Sequence, residues 1–247
     1  HQDGHSHVLA ATVPCVKSYD PAFGYELAVI IRDGIRRMYQ DMENIFYYIT
    51  VYNENYPMPA MPEEEGVEQG ILKGLYRISA QGEGESIHLM ASGAIMTQAQ
   101  AAERWLLDQG FNVSLWSVTS FSELYRDASE VERQNRLNAP EVPARSHIES
   151  LLADQQGSFV AVSDWMQSHA AMISPWVPGD FTALGTEGFG ACEDRQTLRD
   201  HFEISADYIC QAALSSLLRT GKIDRQKYQA LAGMLAIDSQ KIAATSR

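Results

Sequence analysis

The first seven residues, HQDGHSH, gather three imidazoles (His1, His5, His7) and one carboxylate (Asp3) around a glycine. Histidine titrates near neutral pH, and a neighbouring aspartate can orient it or offset its charge. A metal site, a polar active-site loop and a solvated loop are all open readings. The H-x3-H-x-H spacing would place His1 and His5 on one face of a helix, but Gly4 and the Ser-His-Val continuation argue against a helix. No fourth ligand and no H-E-x-x-H or D-x-D-x-D pattern is present, so no metal ligand is assigned.

Asn53 and Glu54, in "NENY", are the second candidates. They directly follow "NIFYYITVY" (44–52), an aromatic and β-branched run that reads as a buried strand. In an open α/β sheet, ligands bind just past the carboxyl ends of strands. The alternative is a surface loop leading into a solvated acidic run, Glu63, Glu64 and Glu65. "GTEGFG" (185–190) departs from G-x-G-x-x-G, and Glu187, Glu193 and Asp194 would repel an anion. It reads as a tight turn between a strand and a helix. His88, His147, His169 and His201 stand isolated in sequence and read as packing or surface residues. Trp105, Trp116, Trp165 and Trp176 read as core.

The elements that must position these groups follow from periodicity. Asp20 and Pro21 suit the start of a helix in which Phe23, Leu27, Ile30, Ile31, Ile35 and Met38 recur at helical spacing. "AQGEGES" (80–86) reads as a linker. Beyond it strands alternate with helices: "IHLMASG", then "TQAQAAERWLLDQG" with Thr97 and Gln100 as a capping box and Gly110 as the stop, then "NVSLWSVTS". A helix over "SFSELYRDASEVERQNRL" is capped by Ser120 and Glu123. Strands in "SFVAVSDWM" and "FTALGTEGFG" follow, then a helix from Ser205 to Gly221 and a last one near "DRQKYQALAGMLA". Such alternation implies parallel pairing with right-handed crossovers. Residues 85–247 therefore read as an α/β domain with a mostly parallel sheet. Residues 1–80, with a helix, a strand and a second helix, read as the end of another α/β domain.

The 247 residues suffice for one large core or two modest ones. A net charge of −13 without any basic stripe excludes nucleic acid and anionic membrane as expected partners. No apolar run reaches the roughly 18 residues of a membrane span. Cys15, Cys192 and Cys210, an odd and unpatterned set, fit a reducing, cytoplasmic compartment. The chain opens on His rather than Met, as expected of a cut or processed polypeptide.

"HQDGHSH", "SYDPAFGYELAVIIRDGIRRMY", "YYITVYNENYPMPAMPEEEGVEQGILKGLY", "SVTSFSELYRDASEVERQN" and "LGTEGFGACEDRQTLRDHFEISADYI" resemble, in order, the homodimeric pyruvate-decarboxylating components of pyruvate dehydrogenase complexes. These lie within the transketolase superfamily of thiamine diphosphate enzymes. The resemblance implies the end of a pyrimidine-binding domain followed by a transketolase C-terminal-like domain. It implies that His1, Asp3 and His7 line the active site: His1 as an acid–base or orienting group, and His7 as a hydrogen-bond donor to substrate oxygen. His5, Asn53 and Glu54 would lie on the substrate side. Transketolases carry a phosphate-gripping Arg near Asn53–Glu54, and its absence here agrees with a small 2-oxo acid. The magnesium-diphosphate motif and the glutamate that activates thiamine match nothing in this chain. Thiamine diphosphate and Mg2+ would therefore be bound mainly by residues outside it. The implied partners are the N-terminal part of the enzyme or a separate thiamine-binding subunit, in a homo- or hetero-oligomer, and a dihydrolipoyl acetyltransferase core. A split transketolase-like transferase and a catalytically silent assembly domain are the competing readings.

Overall fold

A computed structural model describes residues 4–246 of the chain; His1 and Asp3 lie outside the described residues. Alternation of side chains builds the larger of two sheets. In β4 (Ser86–Ala91), Ile87, Leu89 and Ala91 face one side and Met90 the other. In β5 (Asn112–Ser117), Val113 and Leu115 oppose Trp116; in β6 (Ser158–Val162), Val160 and Val162 oppose Phe159 and Ala161. Strands apolar on both faces must be covered on both. Helices α4 (Met96–Asp108), α9 (Ala206–Arg219) and α10 (Arg225–Ala232) cover the first face. Helices α5 (Phe121–Asn138), α6 (His147–Leu152) and α7 (Gln167–Ala171) cover the second. Ile87 and Leu89, wholly buried, each contribute roughly 1.5–3 kcal/mol. With β3 (Tyr76–Gln81) and β7 (Asp180–Leu184) the order is β3-β5-β4-β6-β7; β3 is antiparallel and every other pair parallel.

The N-terminal unit holds α1 (Ser6–Ala11), β1 (Val16–Tyr19), α2 (Gly24–Ile35), β2 (Phe46–Ile49) and α3 (Val67–Lys73). Strands β1 and β2 pair in parallel, Val16 opposite Phe46. A two-stranded sheet is marginal by itself, and this one is fastened to the start of α5. The Ser120 hydroxyl donates to the Ser18 carbonyl at 2.7 Å, and the Ser18 and Ser122 hydroxyls bond at 2.7 Å. Lys17 pairs with Glu123 at 2.7 Å, and the Arg126 guanidinium donates to the carbonyls of Val13 (2.9 Å) and Val16.

Several elements depart from the sequence reading. The opening segment does form a helix at Ser6–Ala11, with His5 at its N-cap, because Gly4 precedes the helix rather than interrupting it. Asp20 caps nothing: α2 starts at Gly24, and its first turn is closed by the Glu26 carboxylate, which accepts from the amides of Ala22 (2.6 Å) and Phe23 (3.0 Å). The helix also ends in a π-helical turn at Arg36–Gln40. The strand within 44–52 is only four residues long and half-buried, with Phe46 exposed. Strand β1 escaped periodicity because "VKSY" is short and carries Lys17 and Ser18. A 3-10 turn at Gly93–Ile95 leads into α4, so Thr97 lies inside the helix and its hydroxyl donates to the Ala94 carbonyl. Ser205 stands at the N-cap of α9 without a side-chain capping bond. Ser120 does cap α5, and Ser146 with Glu149 forms an unforeseen capping box on α6. The stretch 80–86 is not an interdomain linker, because β3 and β4 on either side of it belong to the same sheet and both pair with β5. The change of sheet falls before Tyr76. Among the described residues no helix is long and apolar enough to cross a membrane.

Candidate functional site at the strand ends

Parallel strands deliver their carboxyl-terminal loops to a common edge, and both sheets do so at one place. Residue Asp20 follows β1, Thr50 and Tyr52 follow β2, Ser92 and Gly93 follow β4, and Asp164 and Trp165 follow β6. Asp20 is the hub. It is 2% exposed, and its carboxylate accepts four hydrogen bonds: at Oδ1 from the hydroxyls of Thr50 and Tyr52 (2.6 Å each), and at Oδ2 from the Ser92 hydroxyl (2.7 Å) and Trp165 Nε1 (2.9 Å). A buried carboxylate is tolerated where its lone pairs are met in this way. The backbone closes tightly here. Gly93, at φ +52°, donates its amide to the Asp20 carbonyl at 3.0 Å, and a Cβ at this position would lie 2.5 Å from the Tyr52 hydroxyl.

His7, 1% exposed, is carried on α1 to the edge of this hub. Its Nε2 lies 2.9 Å from Thr50 Oγ1, and its ring meets Trp165 edge-on with centroids 4.5 Å apart. The rings of Tyr48 and His169 stand at 5.2 and 5.1 Å. His169 is also buried, and its Nδ1 has no hydrogen-bond partner among the described residues. Burial pushes its imidazole down to about 3, and His7 adds to the effect. The Gly4 carbonyl accepts from the Met166 amide at 2.8 Å, so the opening segment lies against the loop after β6.

Asn53 and Glu54 line a cavity of about 520 Å³ whose wall also includes Tyr52, Asp164 and Trp165. Both are held from α8 (Arg195–His201): Arg195 donates to Asn53 Oδ1 at 2.6 Å, and Arg199 pairs with Glu54. Glu193 and Asp194 also line the cavity. Asp194 is the N-cap of α8, and its bonds from the Thr197 amide and hydroxyl hold its carboxyl below the usual range.

Of the expected site residues, the structure brings His7, Asn53 and Glu54 to the same junction. His5 is exposed at the N-cap of α1. Sequence reasoning missed Asp20, Thr50, Tyr52, Arg195 and Arg199, and assigned Trp165 to the core although it touches both His7 and Asp20. No sequence signal marked Asp20 or Thr50: β1, which Asp20 follows, escaped periodicity, and Thr50 fell inside the strand read over 44–52.

The described residues do not fit a magnesium-bound diphosphate. Glu54, Asp164, Glu193 and Asp194 surround the cavity, and its two arginines are committed to Glu54 and Asn53. No group of three or more His, Cys, Asp or Glu among the described residues is placed to hold a metal ion.

The chain matches the family described as the pyruvate dehydrogenase E1 component middle domain over residues 1–59, and the transketolase-like TK C-terminal domain over residues 74–205. It is 42% identical over 98% of its length to a pyruvate dehydrogenase E1 component of Pseudomonas aeruginosa, covering 28% of that protein. It is 43% identical over 98% of its length to the one of Escherichia coli K12, covering 27%. The chain thus spans about a quarter of the length of these relatives. A Pichia stipitis transketolase superposes over 89% of this chain and 28% of its own, with a TM-score of 0.64 at 16% identity, a likeness of fold. The two matches fall on either side of the change of sheet, and the chain belongs to the transketolase-like C-terminal domain family, in the form found in the C-terminal part of homodimeric-type pyruvate dehydrogenase E1 components.

Proposed function

We propose that this chain is one part of a thiamine diphosphate-dependent pyruvate dehydrogenase that decarboxylates the 2-oxo acid and passes the acyl group to a lipoyl acceptor. The observation that carries the reading is identity of 42–43% to such components over nearly the whole chain. The cofactor, when bound, supplies the electron sink for decarboxylation. Thiamine diphosphate and Mg2+ are held by residues outside this chain, on the remaining part of the enzyme or on a companion subunit. His1, Asp3 and His7 form one wall of the reaction site, and the protein works in the cytoplasm with a dihydrolipoyl acetyltransferase core.

In this chain, Asp20 and Trp165 hold the opening segment against the second domain and keep water from His7. Arg195 and Arg199 fix Asn53 and Glu54, so the loop after β2 is set before substrate arrives. The test is purification of the complete assembly, identification of every chain by intact mass, and measurement of carbon dioxide release from pyruvate with an artificial electron acceptor. Release is expected, with turnover falling more than tenfold in His1→Ala and cofactor affinity little changed. An assembly that releases none overturns the reading.

A further inference from the structure

We infer that Phe189 is the anchor by which the face at the carboxyl ends of the strands docks on the polypeptide that holds thiamine diphosphate and Mg2+, entering there an apolar pocket rimmed by basic side chains. This deepens the functional reading above and rests on it for the identity of the partner, though not for the covering of Phe189.

The Phe189 side chain is 100% exposed. Single apolar side chains are common on protein surfaces. This one differs in how the chain presents it. Gly188 and Gly190, on either side, stand at φ +90° and +81°, a region that residues with a Cβ seldom adopt. Both shoulders of the loop are fixed. Before it, the Thr186 amide donates to the Trp165 carbonyl at 2.9 Å, and the Glu187 carboxylate accepts from the Gln167 amide at 2.7 Å. After it, Asp194 caps α8, accepting from the Thr197 amide at 3.0 Å and from the Thr197 hydroxyl at 2.8 Å. A ring held out between fixed shoulders loses little freedom on binding, which suits it to be the aromatic anchor of an interface.

Position and charge point to the partner. Strand β7 runs parallel to β6, and β6 to β4, so the loop after β7 leaves at the edge where the Asp20 hub and the cavity lie. Glu193, in the same loop, lines that cavity, and exposed Val51 adjoins Tyr52, another of its lining residues. The face around the cavity therefore carries apolar side chains in contact with water. Glu187, Glu193 and Asp194 flank Phe189 in sequence, and the first cation after them, Arg195, is committed to Asn53 and Glu54. Carboxylates drawn into an interface need opposite charges facing them. A second copy of this chain, with its net charge of −13, would set the same carboxylates against them across a two-fold axis. The relatives offer the other occupant: this chain covers 27–28% of their length, and the rest is polypeptide that must pack somewhere against it.

The test uses the complete assembly. One form carries p-benzoylphenylalanine in place of Phe189, for photo-cross-linking. Two others carry Phe189→Cys or Val142→Cys with Cys192→Ser, for maleimide labelling. Val142, 83% exposed between α5 and α6, is the reference. The cysteine at position 189 is expected to react roughly tenfold more slowly than the one at 142, as a side chain shielded at the centre of an interface does. The cross-link is expected on a peptide outside residues 1–247 that carries apolar residues beside Lys or Arg. Phe189→Ala should come apart at a lower urea concentration than the wild type, with Phe189→Leu in between. Equal labelling at the two positions, a cross-link confined to this chain or to a second copy of it, or a Phe189→Ala assembly as resistant to urea as the wild type overturns the proposal. If the assembly releases no carbon dioxide from pyruvate, the functional reading fails, while the labelling and the cross-link still decide whether Phe189 is covered and by what.

Discussion

Glu26 lies wholly buried at the seam between the two units, and its replacement should separate the cost of its charge from the cost of its shape. Its Oε2 accepts from the amides of Ala22 and Phe23, and its Oε1 from the hydroxyls of Tyr76 and Ser117 at 2.6 Å each. Burial raises its carboxyl above the usual range, outweighing the four bonds that lower it. The native state therefore holds the Glu26 proton more tightly than the unfolded chain. The stability linked to that proton is complete below the unfolded value and is lost as pH rises through the folded one. Glu26→Gln keeps the shape without the charge. The two amides can only donate, so the amide oxygen must take the Oε2 position. The NH2 group then faces Tyr76 and Ser117, whose hydroxyls can turn to accept, and Tyr76 can pass its hydrogen to Tyr25 at 2.6 Å. Glu26→Gln should cost about 1 kcal/mol or less near pH 4 and gain on the wild type as pH rises. Glu26→Ala leaves two buried amides without partners and opens a void, and should cost about 3–5 kcal/mol near pH 4, a cost that shrinks as pH rises. Urea unfolding followed by tryptophan fluorescence between pH 4 and 8 reads both. A wild type that gains stability over Glu26→Gln as pH rises would refute the reasoning.

Three further outcomes follow from the same geometry. Gly93→Ala should destabilise by about 2 kcal/mol or more, because φ is +52° and its Cβ would meet Tyr52 and Asp20; a thermal melt checks it. Arg199→Met should cost about 1–3 kcal/mol, since it leaves the largely buried Glu54 carboxylate with only Arg195 at 3.6 Å, and Glu54→Gln in the same chain should recover part of that loss in a double-mutant cycle. Burial pushes the Cys210 thiol up to about 12, so iodoacetamide at pH 8 should label exposed Cys192 and spare Cys210, read by peptide mass spectrometry.

Local chemistry was enough for the central strands and several helix ends. Gly110 and Gly221 end their helices at φ +81° and +72°, and Ser120 bonds the Glu123 amide, all within a few residues of chain. The alternation in β4, β5 and β6 declares a sheet covered on both faces, because side chains of a strand point alternately and each face meets its own helices. The opening histidines and "NENY" were visible as chemistry, and the whole-chain resemblance carried the family. What Asp20 does was not visible. Its four donors stand 30, 32, 72 and 145 residues along the chain, so in sequence it is only an aspartate before a proline, the form of a helix start. The same distance hid the place of His7, whose Nε2 meets a threonine 43 residues away. Periodicity records which face of an element is buried; it does not record which loops meet when parallel strands end at one edge, and there only the tertiary fold decides which polar atoms share a proton.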